Sequence, residues 1–189
     1  TAQLTSAIDG YPLWSQSYQR DIEDKLDLQS TIATEIVTRL SPSLSTQIDL
    51  VKVATNNFKA YEYYLLGRHH WHQRNAESLE QAILHFNQAR ELDPGYALAY
   101  TGLADSYVFS ALYGNRDYDE ALSLALTLAN NALELDPNLA EAHASLGLIY
   151  ETSGDEQSAL ASYQRTVQLK PQYAMGQMWL GNTYTTLQQ

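Results

Sequence analysis

Apolar and small residues recur at helical spacing between residues 140 and 173, in two runs separated by a turn. In the first run, Gly147 and Tyr150 fall on one helix face. In the second run, Ala159 and Tyr163 lie one helical turn apart. Because glycine has no side chain, a second helix can approach the first closely at Gly147. The pattern predicts two antiparallel helices in close contact.

Turn and cap signals divide the two runs. Ser153, Gly154 and Asp155 form a turn signal, and Asp155 can also cap the second helix. Pro171 follows the second run and ends it. The stretch therefore predicts one complete helix-turn-helix unit.

The same pattern occurs several times along the chain. In the first copy, the positions equivalent to the helix face around Gly147 are Tyr63, Leu66, Gly67 and His70, which we expect in the core. The predicted copies cover residues 58–96, 97–139 and 140–173, with a partial copy at 174–189.

Proline spacing shows that the second copy is longer than the third. Pro137 and Pro171 are 34 residues apart, whereas Pro94 and Pro137 are 43 apart. The second copy thus has nine extra residues, and four of them lie between Ala121 and Pro137. Four residues make about one helical turn, so the second helix of this copy should be one turn longer and keep its face. Asp117 stands at its start with capping spacing.

These residues resemble the tetratricopeptide repeat, which has a period of about 34 residues. The matching positions are His143, Leu146, Gly147, Tyr150, Ala159, Tyr163 and Pro171, with His143 where tryptophan is commonest. The resemblance implies a mostly α fold, a solenoid of helix pairs. It also implies a binding scaffold without catalytic activity.

The first 57 residues have a different pattern. Weak alternation on both sides of Asp9-Gly10 predicts two strands joined by a turn. Apolar residues then step by four between Asp24 and Leu40, which predicts an amphipathic helix. We predict a truncated α/β segment at 1–40 and a linker at 41–57.

Residues 13–33 resemble the end of the TolB-like α/β domain of large bacterial regulators. The matching residues are Leu13, Trp14, Ser15, Tyr18, Arg20, Asp24, Gln29, Ile32 and Ala33. In that family the domain directly precedes tetratricopeptide repeats, and the effector lies upstream. The effector is a winged-helix DNA-binding domain, a class III adenylate cyclase or a protein kinase. The resemblance implies a signalling or transcriptional regulator, placed in the periplasm if an upstream membrane helix exists and in the cytoplasm otherwise.

Composition restricts the function classes. The 189 residues carry a formal net charge of -11, which disfavours nucleic acid binding by this chain. Cysteine is absent, which excludes disulfides and thiolate catalysis. No apolar run approaches the roughly 20 residues of a membrane span. We expect protein or peptide partners instead.

Candidate chemistry is sparse. His69 and His72 have a chelating spacing, but no Asp, Glu or Cys completes a recognisable ligand motif, so a structural or surface role is favoured over a metal site. The chain has no phosphate-binding glycine loop, nucleophile elbow or catalytic triad. We therefore expect no enzyme activity, no cofactor and no metal.

A concave groove formed by the first helices is the candidate binding site. Where related repeats hold chaperone C-terminal carboxylates with basic and Asn residues, this chain has Tyr64, Asp105, Ala144 and Leu148, so we expect a different partner class. An extended or helical peptide with apolar anchors and some positive charge fits better, and a small ligand near Trp71 is the alternative. The predicted groove residues are Tyr61, Tyr64, Arg68, Trp71, Asp105, Phe109, Leu148 and Glu151.

Two further expectations concern surfaces. The linker has an apolar patch that could fold back over the helices and fill the groove, at Ile48, Leu50, Val51 and Val53. The strands at the start and the helix at 174–187 should present unpaired surface, which favours a homodimer.

Overall fold

The structure is a computed structural model, and the chain divides into two units, Thr1–Phe58 (unit 1) and Lys59–Gln189 (unit 2). The predicted helix at Asp24–Leu40 and the linker patch of residues 48–53 lie outside the residues that the structure describes. The described ranges are 2–5, 12–17, 54–113 and 116–187.

Unit 1 contains two short strands, β1 (Ala2–Thr5) and β2 (Pro12–Gln16). They pair antiparallel, and the register shifts by one residue between Leu4 and Thr5. This backbone pairing gives no support to the TolB-like assignment, which stays a prediction.

The described part of the chain from residue 58 onward forms seven helices, and consecutive helices from the second to the seventh contact one another. The first, third, fifth and seventh helices are the first members of the pairs predicted from the sequence. The helices are α1 (Phe58–Trp71), α2 (Ala76–Leu92), α3 (Ala97–Leu112), α4 (Tyr118–Leu135), α5 (Ala140–Ser153), α6 (Glu156–Leu169) and α7 (Ala174–Leu187).

Glycines set the contact between paired helices, as the sequence predicts. A Cβ atom at Gly147 would lie 2.3 Å from Cε1 of Tyr163, so only glycine fits beside that ring. In the first pair, a Cβ atom at Gly67 would lie 2.6 Å from Phe86. Phe86 also faces Gly102 of α3, so its ring fills the junction of three helices. This arrangement buries Phe86 and Tyr163 completely.

The predicted turn and caps are confirmed. Gly154 ends α5 in the left-handed conformation, with φ 82°, which favours glycine. Asp155 accepts a hydrogen bond from the backbone N–H of Ser158 at the start of α6. Asp117 accepts from the N–H of Glu120 in the same way at α4. These side chains satisfy amide groups that a helix end leaves unpaired.

The extra turn in the second copy is also confirmed. Helix α4 has 18 residues and α6 has 14, a difference of four. The longer helix keeps one buried face along its length, which includes Ala121, Ala125 and Ala132. The four inserted residues therefore lengthen the helix without rotating its core face.

The prediction that Leu66 lies in the core is wrong. The equivalent Leu103 and Leu146 are 1% and 8% exposed, whereas Leu66 is 43% exposed. No described helix precedes α1, so no described helix pair covers this side of it. His70, expected beside Leu66, is partly exposed and stacks on His85 with 5.3 Å between ring centroids.

Candidate functional site

The candidate site is the surface formed by the first helices α1, α3 and α5. Helices α3 and α5 lie side by side, since the hydroxyl of Ser145 donates a 2.6 Å hydrogen bond to the carboxylate of Asp105. In stacked helix pairs this surface lines the concave side. We call it the first-helix face and define it by the residues predicted to line it: Tyr61, Tyr64, Arg68, Trp71, Asp105, Phe109, Leu148 and Glu151.

Burial separates these residues into two groups. Trp71 is 1% exposed, Leu148 is 6% and Asp105 is 8%, so these three belong to the core. Trp71 is therefore not an open anchor in this structure, because its ring is already packed. The accessible residues are Tyr61, Tyr64, Arg68 and Phe109, which are partly exposed, and Glu151, which is exposed.

Tyr64 connects the first-helix face to the core of the first pair. Its ring lies 5.7 Å from the ring of Phe86 and 5.2 Å from that of Tyr96, with tilted planes in both cases. Burial raises the pKa of Tyr64 to about 12, although the positive charge of Arg68 opposes the shift. Tyr64 is thus a neutral group at physiological pH.

Trp71 and Phe109 form an aromatic corner where α1 meets α3. Their ring centroids are 5.6 Å apart and the planes meet at 75°. The guanidinium of Arg74 lies 3.7 Å from the centroid of each ring. The guanidinium of Arg68 lies over Trp71 at 4.8 Å. Cation–π contacts of this kind contribute about 0.5–2 kcal/mol each.

Arg74 has an unfavourable backbone conformation. It follows α1, and its φ of 53° is left-handed, the only positive φ of a non-glycine residue in the described part of the chain. Such a conformation costs roughly 1–2 kcal/mol for a residue with a side chain. Burial also lowers the pKa of the half-buried Arg74 guanidinium.

Asp105 is a buried carboxyl group at the centre of the first-helix face. Burial raises the pKa of Asp105 to about 6, while the hydrogen bond from Ser145 and the charges of Arg68 and Arg74 partly oppose the shift. The charge of Glu141 on α5 adds to the raised value. Glu141 is itself paired with Lys170 at 2.6 Å. The face thus presents interspersed charges of both signs.

Glu151 contacts the second helix of its own pair. The hydroxyl of Tyr163 donates a 2.7 Å hydrogen bond to a carboxylate oxygen of Glu151. Burial and this hydrogen bond both raise the pKa of Tyr163, which keeps the hydroxyl protonated. Glu151 therefore orients a core ring while it remains exposed to solvent.

Histidines in the last turn of α1 and just after it make polar side-chain contacts. His69 contacts the amide of Gln73 at 3.3 Å, and His72 contacts Arg68 at 3.5 Å. Among the described residues, no group of three or more His, Cys, Asp or Glu side chains is placed to hold a metal ion. In the same part of the chain, no helix has the length and apolar character to cross a membrane.

Three residues at this face were missed by the sequence analysis: Arg74, Ser145 and Tyr173. Arg74 and Ser145 lie outside the helix positions used to define the groove, and their spacing carries no signal. Burial raises the pKa of Tyr173, and the charges of Asp105 and Glu141 add to the shift. The sequence does contain a signal for Tyr173, because a tyrosine stands two residues after a proline both there and at Tyr96.

Comparison with solved structures identifies the fold. The first tetratricopeptide repeat domain of human RPAP3 superposes with a TM-score of 0.56 at 18% identity, over 68% of this chain and 92% of that one. The corresponding domain of Spaghetti (RPAP3), bound to the HSP90 peptide SRMEEVD, superposes with a TM-score of 0.55 at 18% identity. The match covers 69% of this chain and 97% of that one.

A bacterial protein is similar to the same degree. A tetratricopeptide repeat protein from Thermus thermophilus gives a TM-score of 0.60 at 20% identity, over 86% of this chain and 75% of that one. No family model matches the sequence, and no curated protein matches it. The described residues between 58 and 187 therefore form a solenoid of helix pairs with the tetratricopeptide repeat fold.

Proposed function

We propose that unit 2 is a non-catalytic protein–protein interaction module that binds a peptide segment of its partner along the first-helix face. The observation that supports this proposal is that five of the residues predicted to line the face keep side chains accessible to solvent: Tyr61, Tyr64 and Arg68 from α1, Phe109 from α3 and Glu151 from α5. Helix-pair solenoids use this face for extended partners.

The charge of the face indicates the chemistry of the peptide. The similar Spaghetti domain is bound to SRMEEVD, a peptide with an acidic end. In this chain the centre of the face holds Asp105, and Glu141 and Glu151 follow on α5. Carboxylates repel an acidic peptide end, so we propose a partner segment with apolar anchors and some positive charge.

A peptide-binding experiment tests this function. A peptide array that varies apolar, cationic and acidic residues would be screened with the whole chain, with SRMEEVD as the acidic reference. Selected peptides would be titrated by fluorescence polarisation. We expect Tyr61→Ala to weaken binding about 30-fold, as expected for loss of an aromatic anchor worth about 2 kcal/mol.

The matched control is Leu124→Ala, which removes an exposed apolar side chain from the second helix α4. It should leave affinity unchanged. Equal losses in both variants, or preferential binding of SRMEEVD, would contradict the proposal. Thermal unfolding of each variant separates lost binding from lost folding.

A small-ligand sensor is the second candidate. The indole N–H of Trp71 is buried and has no hydrogen-bond partner among the described residues, which favours a ligand with an acceptor group at this point. Stabilisation by a metabolite and by no peptide in a thermal-shift screen would favour this alternative.

The wider context that we propose is a bacterial signalling or transcriptional regulator. Its support is the resemblance of residues 13–33 to the end of a TolB-like domain, together with the repeats that follow. In such a regulator this module transmits or receives a signal through its partner. The gene region upstream tests the context, since an effector domain in the same reading frame is required.

A further inference from the structure

We propose that the corner formed by Trp71, Phe109 and Asp105 is a subsite for an arginine side chain of the peptide partner, and that Arg74 occupies it in the free protein. This inference rests on the proposed peptide-binding function, which it makes more specific. It assigns a ligand class, a guanidinium cation, to a part of the first-helix face that is closed in this structure.

The corner has the geometry of a cation site. Two rings that meet at 75° present two faces to one group, and the Arg74 guanidinium is equidistant from both centroids at 3.7 Å. Aromatic faces attract a cation within about 6 Å of the centroid, and arginine more often than lysine. The internal guanidinium thus shows which chemical group the corner accepts.

The internal occupant is held by few contacts. Among the described residues, Arg74 makes ring contacts but no hydrogen bond and no ion pair that would fix its guanidinium. It belongs to the short connection between α1 and α2 and has a left-handed φ of 53°. The side chain can therefore leave the corner by rotation about its own bonds, without displacing either helix.

Unused polar groups surround the corner. Asp105 is buried and receives a hydrogen bond from Ser145, and a carboxylate has further acceptor sites. The indole N–H of Trp71 is a buried donor without a described partner. A peptide arginine supplies donors for Asp105 from its guanidinium, and its backbone carbonyl offers an acceptor.

The local charges admit a competing interpretation. Arg68 lies over the same Trp71 ring, so Arg68 and Arg74 together could instead attract an acidic peptide. The two interpretations predict opposite effects of removing Arg74. Loss of Arg74 empties the corner for a cationic ligand, whereas it removes an attractive charge for an anionic one.

The test uses a small probe and the Arg74→Gly variant, because glycine adopts the left-handed conformation without strain. The probe is N-acetyl-arginine amide, with N-acetyl-citrulline amide as the neutral isostere and N-acetyl-glutamate amide as the anion. Binding to the whole chain is followed by NMR through the indole N–H resonance of Trp71. Arg74→Gln is a second variant that removes the charge and retains the side-chain length.

We expect both Arg74 variants to bind the arginine probe at least tenfold more tightly than the unmodified protein and to bind the citrulline probe no better. Phe109→Leu in the Arg74→Gly background should abolish the gain. The control is Arg116→Ala, which removes a cation paired with Glu80 elsewhere and should change nothing. Three outcomes would each overturn the inference. The citrulline probe could bind the variants as tightly as the arginine probe, or the glutamate probe could bind more tightly before Arg74 is removed than after. The third outcome is that neither folded variant binds the arginine probe more tightly than the unmodified protein.

Peptides selected by the array separate this inference from the function on which it rests. Their affinity should rise about tenfold in Arg74→Gly and fall when their arginine is replaced by citrulline. Peptides that bind without an arginine requirement would leave the interaction function standing and refute the subsite. A gain for the arginine probe without any bound peptide would support the subsite and refute the peptide-binding function.

Discussion

Buried polar residues distinguish the first-helix face from an ordinary helix–helix contact. Asp105 carries a carboxyl group into the core and is paired there with a hydroxyl group, that of Ser145. Burial of a carboxylate is costly without a full set of partners. Residues of this kind often mark functional positions, which agrees with the role that we propose for Asp105.

The first prediction concerns Asp105→Asn. Because burial raises the folded-state pKa of Asp105 to about 6, the folded protein binds this proton more tightly than the unfolded chain does. The resulting stabilisation is lost as pH rises from about 4 through 6. Two pKa units correspond to on the order of 3 kcal/mol, so Asp105→Asn should raise the melting temperature at pH 7.5 by about 5–10 °C.

The gain should disappear near pH 4, where Asp105 is protonated. Thermal unfolding followed by circular dichroism at both pH values measures it. Asp119→Asn, at an exposed position of α4, serves as the control and should not raise the melting temperature at pH 7.5. An Asp105→Asn protein less stable than the original at pH 7.5 would indicate that Arg68 and Arg74 fully compensate the buried charge.

Individual contacts at the face could not be obtained from periodicity. Helical spacing placed Tyr64, Arg68 and Asp105 on one surface, and electrostatic coupling among them agrees with that placement. Helical spacing could not indicate that Arg74, in a connection between helices, packs against Trp71. Arg74 lies between the helices, and no repeat position predicts where its side chain packs.

Helix pairs follow from the sequence because their signals are local. The caps at Asp117 and Asp155, the left-handed Gly154 and the extra turn of α4 each depend on a few neighbouring residues. The exposure of Leu66 depends on whether another helix covers it, which the repeat pattern does not state. Equivalent positions in successive helix pairs thus have the same local helix geometry, but the helices that pack against them differ.

The second prediction compares Gly147→Leu with Gly181→Leu. Any side chain at Gly147 collides with the ring of Tyr163, which is fully buried and lies 5.7 Å from the ring of Trp179 with tilted planes. The substitution should cost about 1–3 kcal/mol through overpacking. At the equivalent Gly181 of α7, no atom lies within 4 Å of the Cβ position.

Gly181→Leu should therefore be neutral or slightly stabilising, since leucine is a better helix former than glycine. Chemical denaturation of both variants gives the free energies of unfolding. Similar values for the two would show that the ring of Tyr163 moves aside easily. The pairing of helices would then not depend on glycine.

Over the whole described chain, apolar groups remain on several surfaces. Helix α7 is notable because it contains no charged residue. Met178 is 54% exposed, Tyr184 43% and Leu187 41%. Exposed apolar side chains of this kind can promote association between proteins.

The last prediction is that the chain forms a homodimer through α7. A helix without charges can meet its own copy without electrostatic repulsion, and a two-fold axis allows the same residues to contact each other on both sides. Multi-angle light scattering from micromolar to near-millimolar concentration should show the mass rise from one chain to two. Met178→Lys should abolish the dimer, because it places like charges opposite each other, whereas Leu124→Lys on the exposed side of α4 should not. A monomer at every concentration, or an equal effect of both substitutions, would exclude α7 as the dimer interface.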